Sequence, residues 1–161
     1  MKPTVAAKTN AARLLDTLAI PYVLRAYEVD PEDLSAPAVA RKIGVPPDQV
    51  FKTLLTEAPT GEHIFAIIPG DQELDLKKLA QVTGHKKLDL APLKRVEPLT
   101  GYLRGGVTAL AARKPFPAFA DVTIELHDRI SISAGQRGLQ LLLDPVDFLR
   151  ASSATLADLV R

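Results

Sequence analysis

Lys52 stands inside an apolar, β-type run, Val50-Phe51-Lys52-Thr53-Leu54-Leu55. On a strand it shares a face with Val50 and Leu54. A lysine on a buried face needs a polar partner or surrenders part of its basicity, and both conditions are common where chemistry is done. The alternative is a strand-end lysine whose stem packs while its ammonium reaches water. Tyr27, in the run YVLRAYEV, offers a hydroxyl donor or a flat ring on which a base can stack, or simply forms the edge of a core. Gly101, Gly105 and Gly106, in the stretch GYLRGG, fit a loop whose N–H groups approach a carbonyl or phosphate, and fit an ordinary tight turn nearly as well. Ser133 lies where RISIS runs into AGQRG, so its hydroxyl and the Arg137 guanidinium could face one cavity.

Other chemistries drop out. The chain has no cysteine, hence no thiol nucleophile, no disulfide and no thiolate ligand for zinc. His63, His85 and His127 are scattered without metal-ligand spacing, and no metal or cofactor is expected. Ser131 or Ser133 with His127 and Asp128 would compose a triad by residue type. An adjacent His-Asp pair on a turn, however, cannot readily place the base between nucleophile and orienter. GYLRGG lacks the spacing and the strand-to-helix setting of a dinucleotide fingerprint.

The elements that must position these residues follow from periodicity. A length of 161 residues, 47% hydrophobic and 24% charged, fits one domain over residues 1–161. Ala11, Leu14, Leu15 and Leu18 fall at helical spacing over residues 4–19, and Pro21 closes that helix before the strand-like YVLRAYEV. Ser35 is placed to cap a helix carrying Ala38, Val39 and Ile43 and ended by Gly44. QVFKTLLTE and EHIFAIIPG flank the turn residues APTG, which predicts a hairpin at the centre of a sheet. Asp75 caps a helix turning Leu76, Leu79, Ala80 and Val82 inward, with Lys77 and Lys78 outside and Gly84 as its stop. A short helix over residues 92–99 and a strand over residues 107–111 are expected around the glycine loop. DVTIEL and RISISAG alternate in period two, predicting a second hairpin about His127-Asp128. Asp144-Pro145 opens a late helix, and Thr155 with Asp158 opens the last one. Hairpins with inserted helices favour an α+β fold with a mixed, mostly antiparallel sheet.

The net charge of +1 hides an uneven distribution. Residues 77–114 hold nine basic residues (Lys77, Lys78, Lys86, Lys87, Lys94, Arg95, Arg104, Arg113 and Lys114) against Asp89 and Glu97, a net charge of +7. Such a cluster suits a phosphate backbone, although a solvated basic surface reads the same way. No apolar run has the length of a signal peptide or a membrane span, so a cytoplasmic protein is expected.

Four segments in order, QVFKTLL, LDLKKLA, TGYLRGG and SISAGQRG, together resemble the YbaK family of Cys-tRNA(Pro) deacylases over nearly the whole chain. The resemblance implies a barrel-like editing fold surrounded by helices and a trans-editing activity on mischarged Cys-tRNA(Pro). It assigns Lys52, Tyr27, Gly105 and Ser133 to catalysis, and Thr53, Gly101, Gly106, Arg137 and Gln140 to the substrate. Lys77, Lys78, Lys86 and Lys87 fall to the tRNA backbone. It further implies that the substrate cysteine's own thiol attacks its ester, and that tRNA selectivity comes from a transient complex with prolyl-tRNA synthetase; neither DNA nor a membrane is an expected partner. Two features depart from the family pattern. Gly106-Val107-Thr108-Ala109-Leu110 stands where relatives commonly have G-G-x-S-P-L, and Gln140 stands where some have Asp. The second leaves amino-acid preference open between cysteine, alanine and serine. A tRNA-end binding module without hydrolysis and a structural protein with a basic face are the other readings.

Overall fold

A computed structural model describes residues 8–161. Thr9 caps helix α1 (Asn10–Thr17) through a side-chain bond from the Ala12 amide, which seats Ala11 and Leu15 in the core without exposure. The start expected at residues 4–7 lies outside the described residues. Strand β1 (Val23–Ala26) leads to helix α2 (Ala36–Ile43), capped by the Ser35 hydroxyl and closed by Gly44 at φ 76°, as its capping residues predict. Strands β2 (Phe51–Glu57) and β3 (His63–Pro69) form the expected hairpin, with Lys52 opposite Ile68. Helix α3 (Leu76–Thr83) is capped by Asp75, whose carboxylate accepts from the Lys77 and Lys78 amides.

Strand β4 (Asp89–Leu90) adds to β2, and helix α4 (Leu93–Thr100) follows. After the glycine loop come β5 (Ala118–Asp121), β6 (Ile130–Ser133), β7 (Leu139–Leu143), helix α5 (Pro145–Ser152) and β8 (Thr155–Ala157). Five strands run in the order β4-β2-β3-β5-β8 and three in the order β1-β7-β6. All pairings are antiparallel except β3 with β5 and β5 with β8. An isolated parallel bridge between Val50 and Ser131 stitches the two sheets together, so that β2 and β6 approach each other where Lys52 begins. The principal core lies between the sheets around Phe51, Phe65, Ile67, Ile132, Leu141 and Phe148.

Four expectations fail. DVTIEL is a 3₁₀ turn over Val122–Leu126 rather than a strand, because Asp121 turns its carboxylate onto the Thr123 amide and hydroxyl. β6 therefore pairs with β7 and not with DVTIEL. β7 carries no alternation, since all five of its residues are buried as the middle strand of three. Residues 107–111 form no strand: the Tyr102 hydroxyl bonds the Leu110 and Ala111 carbonyls at 2.7 and 3.1 Å, and the Thr108 hydroxyl accepts from the Leu110 amide. Thr155 begins β8 instead of a helix. The Leu159 amide beyond it donates to Asp121 at 2.9 Å. Val82, expected inside, is 47% exposed on α3.

Asp121 thus ties the turn after β5 to the chain's last residues from a fully buried position. Asp121→Ala orphans these donors and is expected to cost about 3 kcal/mol in denaturant unfolding. Gly70 is the second point of tension: a Cβ there would lie 2.5 Å from the Ala36 Cβ and 2.9 Å from the Val50 carbonyl oxygen. Gly70→Ala forces α2 away from β2 and is expected to destabilise the fold by about 1–3 kcal/mol in the same measurement.

Candidate active site

The bridged sheets leave a cavity of about 710 Å³ whose lining comes from several separate parts of the chain. The segment entering α2 contributes Glu32 to Pro37, and β2 contributes residues 50 to 55, Lys52 among them. Ser133 and Gln140 come from the facing pair β6 and β7, where they sit directly opposite one another. Leu90, Ala91, Leu93, Val96, Arg104, Gly105 and Val107 add to it from the run of β4 into α4 and from the glycine loop, and Val39 and Gly70 also line it.

Lys52 is half-buried here, and its ammonium donates to the Gly70 carbonyl at 3.3 Å. Burial pulls its pKa below the ordinary lysine value, while the charges of Glu73 and Asp71 oppose that shift. Gly70 itself is pinned, its amide donating to the Val50 carbonyl at 2.6 Å. Gly70 is inconspicuous in the sequence. Its signal is the Pro69-Gly70-Asp71 turn at the end of the strand opposite Lys52.

Ser133 is 9% exposed, and its hydroxyl accepts from the Gly135 amide at 3.1 Å. This leaves the hydroxyl hydrogen available to a ligand. Gln140 is buried, and its Oε1 accepts from the Ser131 hydroxyl at 2.8 Å. Its amide nitrogen is therefore the polar atom it can turn to a ligand, and that atom is a donor. Carboxylates come instead from Glu32 and Asp33 on another side. Hydrogen bonds from Ser35, ahead of more distant Arg41 and Lys42 charges, hold Asp33 below the usual carboxylate range.

The glycine loop reaches the cavity through Gly105, at φ 86°. A Cβ at Gly105 would touch Arg137 and Leu34 at 3.4–3.5 Å. Arg137 does not line the cavity; its exposed guanidinium donates to the Arg104 carbonyl at 2.7 Å and holds the loop against the β6–β7 turn. Gly106 packs on the backbone of Gln136 and Arg137, and its amide is bonded to the Leu103 carbonyl. A backbone donor to substrate from this loop therefore falls to Arg104 or Gly105. Gly101 closes α4 at φ 83° and lies outside the lining, whereas Thr53 lies within it.

Tyr27 is also outside the lining. Its ring packs with the small cluster of Val39, Ala40, Ile43 and Val50 under α2, with the Lys42 ammonium 5.9 Å from the ring centre. Among the expected backbone-binding lysines, Lys77, Lys86 and Lys87 are exposed. Lys78 is engaged within the chain, donating to the exposed Asp158 and to the Val160 carbonyl.

No helix among the described residues is long and apolar enough to cross a membrane. The protein named EbsC of Enterococcus faecalis, whose name assigns it to Cys-tRNA(Pro)/Cys-tRNA(Cys) deacylation, is 38% identical over 94% of this chain and 93% of its own. The multifunctional Ser/Thr-tRNA deacylase ProXp-y of Escherichia coli K12 is 30% identical over 62% of this chain and 60% of its own. A crystal structure described as a trans-editing enzyme for prolyl tRNA synthetase superposes with a TM-score of 0.80 at 23% identity, covering 97% of this chain and 99% of that one. The fold is therefore shared with that protein. The family model described as the aminoacyl-tRNA editing domain matches residues 30–151, the span that supplies β2, the glycine loop and the β6–β7 pair, and the chain belongs to that family.

Proposed function

We propose that this protein hydrolyses the ester of mischarged Cys-tRNA(Pro), with the substrate's thiol as the nucleophile. The observation that carries the reading is the convergence of Lys52, Gly105, Ser133 and Gln140 on one cavity in a chain with no cysteine and no credible triad. A site with donors on several sides and no nucleophile of its own is suited to holding an ester that already carries one. The sulfur attacks the ester carbonyl, the terminal ribose oxygen departs with a proton, and water opens the resulting thiolactone to free cysteine. The protein's contribution is to hold sulfur and carbonyl in attack geometry and to stabilise charge on the carbonyl oxygen.

Lys52 is the charge-assisted donor to the carbonyl or the adjoining ribose, and Ser133 and the glycine loop supply neutral donors. Asp33 and Glu32 give the substrate ammonium the carboxylates that Gln140 cannot. Tyr27 acts from beneath, by setting α2 against β2, and tRNA selectivity is borrowed from prolyl-tRNA synthetase.

Deacylation of Cys-tRNA(Pro) by the purified protein and by Lys52→Ala tests this reading. Loss of about 100-fold or more in kcat/KM, with an unchanged melting temperature, is the expected result; wild-type turnover in the variant contradicts it. The pH profile adds a second check. With the ammonium as the working form, the alkaline limb of the profile falls as pH rises through the Lys52 pKa, while ionisation of the substrate thiol sets the acid limb. That fall should begin below the ordinary lysine value, because burial lowers the pKa. Residual activity in Lys52→Arg should lack this alkaline fall, since a guanidinium does not titrate there.

A further inference from the structure

A second cavity, of about 470 Å³, lies at the far end of the β2–β3 hairpin and is used by no step above. Phe116, Phe119, His63 and His85 line it with the exposed Val82, and Glu62 also lines it, its carboxylate 3.4 Å from the His85 ring. The His63 ring lies 5.1 Å from that of Phe116, and Phe65 backs Phe116 edge-on at 5.8 Å. His63 is further fixed by Glu57 at 3.0 Å, which also receives Arg95 of α4 at 2.5 Å. Phe65 behind Phe116 and Glu57 beside His63 hold these two rings, which leaves little of them to order on binding.

The chain itself joins this cavity to the first. His85 lines the second cavity and Leu90 the first, and the segment between them exposes Lys86 and Lys87. Lys87 has a weak exposed partner in Asp89 at 3.6 Å. From Lys52 to Glu57, beside His63, is five residues of strand, about 17 Å at ~3.3 Å each. At the ~3.4 Å per nucleotide of a stacked strand this is about five nucleotides, so the short unpaired end, its terminal adenosine in the first cavity, spans the distance to the second unstacked, with its bases splayed.

We infer that the second cavity stacks an unpaired base of the tRNA acceptor end upstream of the terminal adenosine, with Lys86 and Lys87 neutralising the phosphates between. This inference deepens the function proposed above and rests on it for the identity of the strand. Aromatic platforms joined to a basic track are how proteins hold single-stranded nucleic acid. The pattern explains both the position of the lysines and the exposure of Val82 on an otherwise amphipathic helix.

Binding of uncharged tRNA(Pro), measured by fluorescence anisotropy at fixed salt, tests it independently of catalysis. Val82→Glu places a carboxylate at the exposed rim, and Phe116→Leu keeps apolar volume while removing the ring; thermal melting verifies that both fold. Each variant should bind the intact tRNA about 5- to 10-fold more weakly, and should match the wild type on a tRNA trimmed of its unpaired 3′ end. Undiminished affinity for the intact tRNA, or the same loss on the trimmed one, overturns the inference. Because the tRNA is uncharged, a protein without deacylase activity would refute the proposed function and leave this result to stand or fall alone.

Discussion

A half-buried ammonium in an apolar strand is tolerable only if something at its end accepts its protons, and here that acceptor is the carbonyl of Gly70. The acceptor can be there only because residue 70 has no side chain. Its Cα faces Ala36 of α2 and the Val50 carbonyl at distances that no Cβ could occupy. Val50 in turn bridges to Ser131 and brings the smaller sheet alongside. One close approach therefore sets the entry to α2, the start of β2 and the pair Ser133–Gln140 around the same space. The cavity is a consequence of that packing rather than a groove carved into a finished fold.

Much of this was legible in the sequence where local chemistry decides local structure. Ser35, Asp75 and Asp144 each cap the helix that their positions announced, through side-chain oxygens accepting from the amides two or three residues on. The hairpin of β2 and β3 was legible because β-branched and aromatic runs flank a short turn. Illegible were the elements decided by distant partners. β7 is buried throughout, so it shows no period, and β8 is a strand only because β5 lies open beside it. DVTIEL alternates like a strand, yet the single carboxylate of Asp121 converts it to a turn.

The site divides the same way. Lys52 was conspicuous as a charge in an apolar run, and Gly105 and Ser133 stood in motifs whose order carried the family resemblance. Gly70 is one of nine glycines, and its Pro69-Gly70-Asp71 setting announces a turn without marking it as the lysine's acceptor. Arg137 and Gly106 carried the right motif but serve the loop's position, Arg137 through the Arg104 carbonyl and Gly106 through its contact with the opposing turn. Proximity in sequence to a functional loop does not say which member faces the substrate.

Under the proposed function the chemistry is economical: the cavity supplies donors, carboxylates and shape, and the substrate would bring the nucleophile. The polar atom Gln140 offers is a donor and the carboxylates sit elsewhere, so on that proposal discrimination among small amino acids would rest on the substrate side chain's own reactivity. The most direct test compares single-turnover deacylation of Cys-tRNA(Pro) with its near-isostere Ser-tRNA(Pro), and with Ala-tRNA(Pro). The account predicts that cysteine is released at least about tenfold faster than serine or alanine, since placement alone gives a hydroxyl or a methyl little to contribute. Serine or alanine released as fast as cysteine would contradict it and make water the nucleophile.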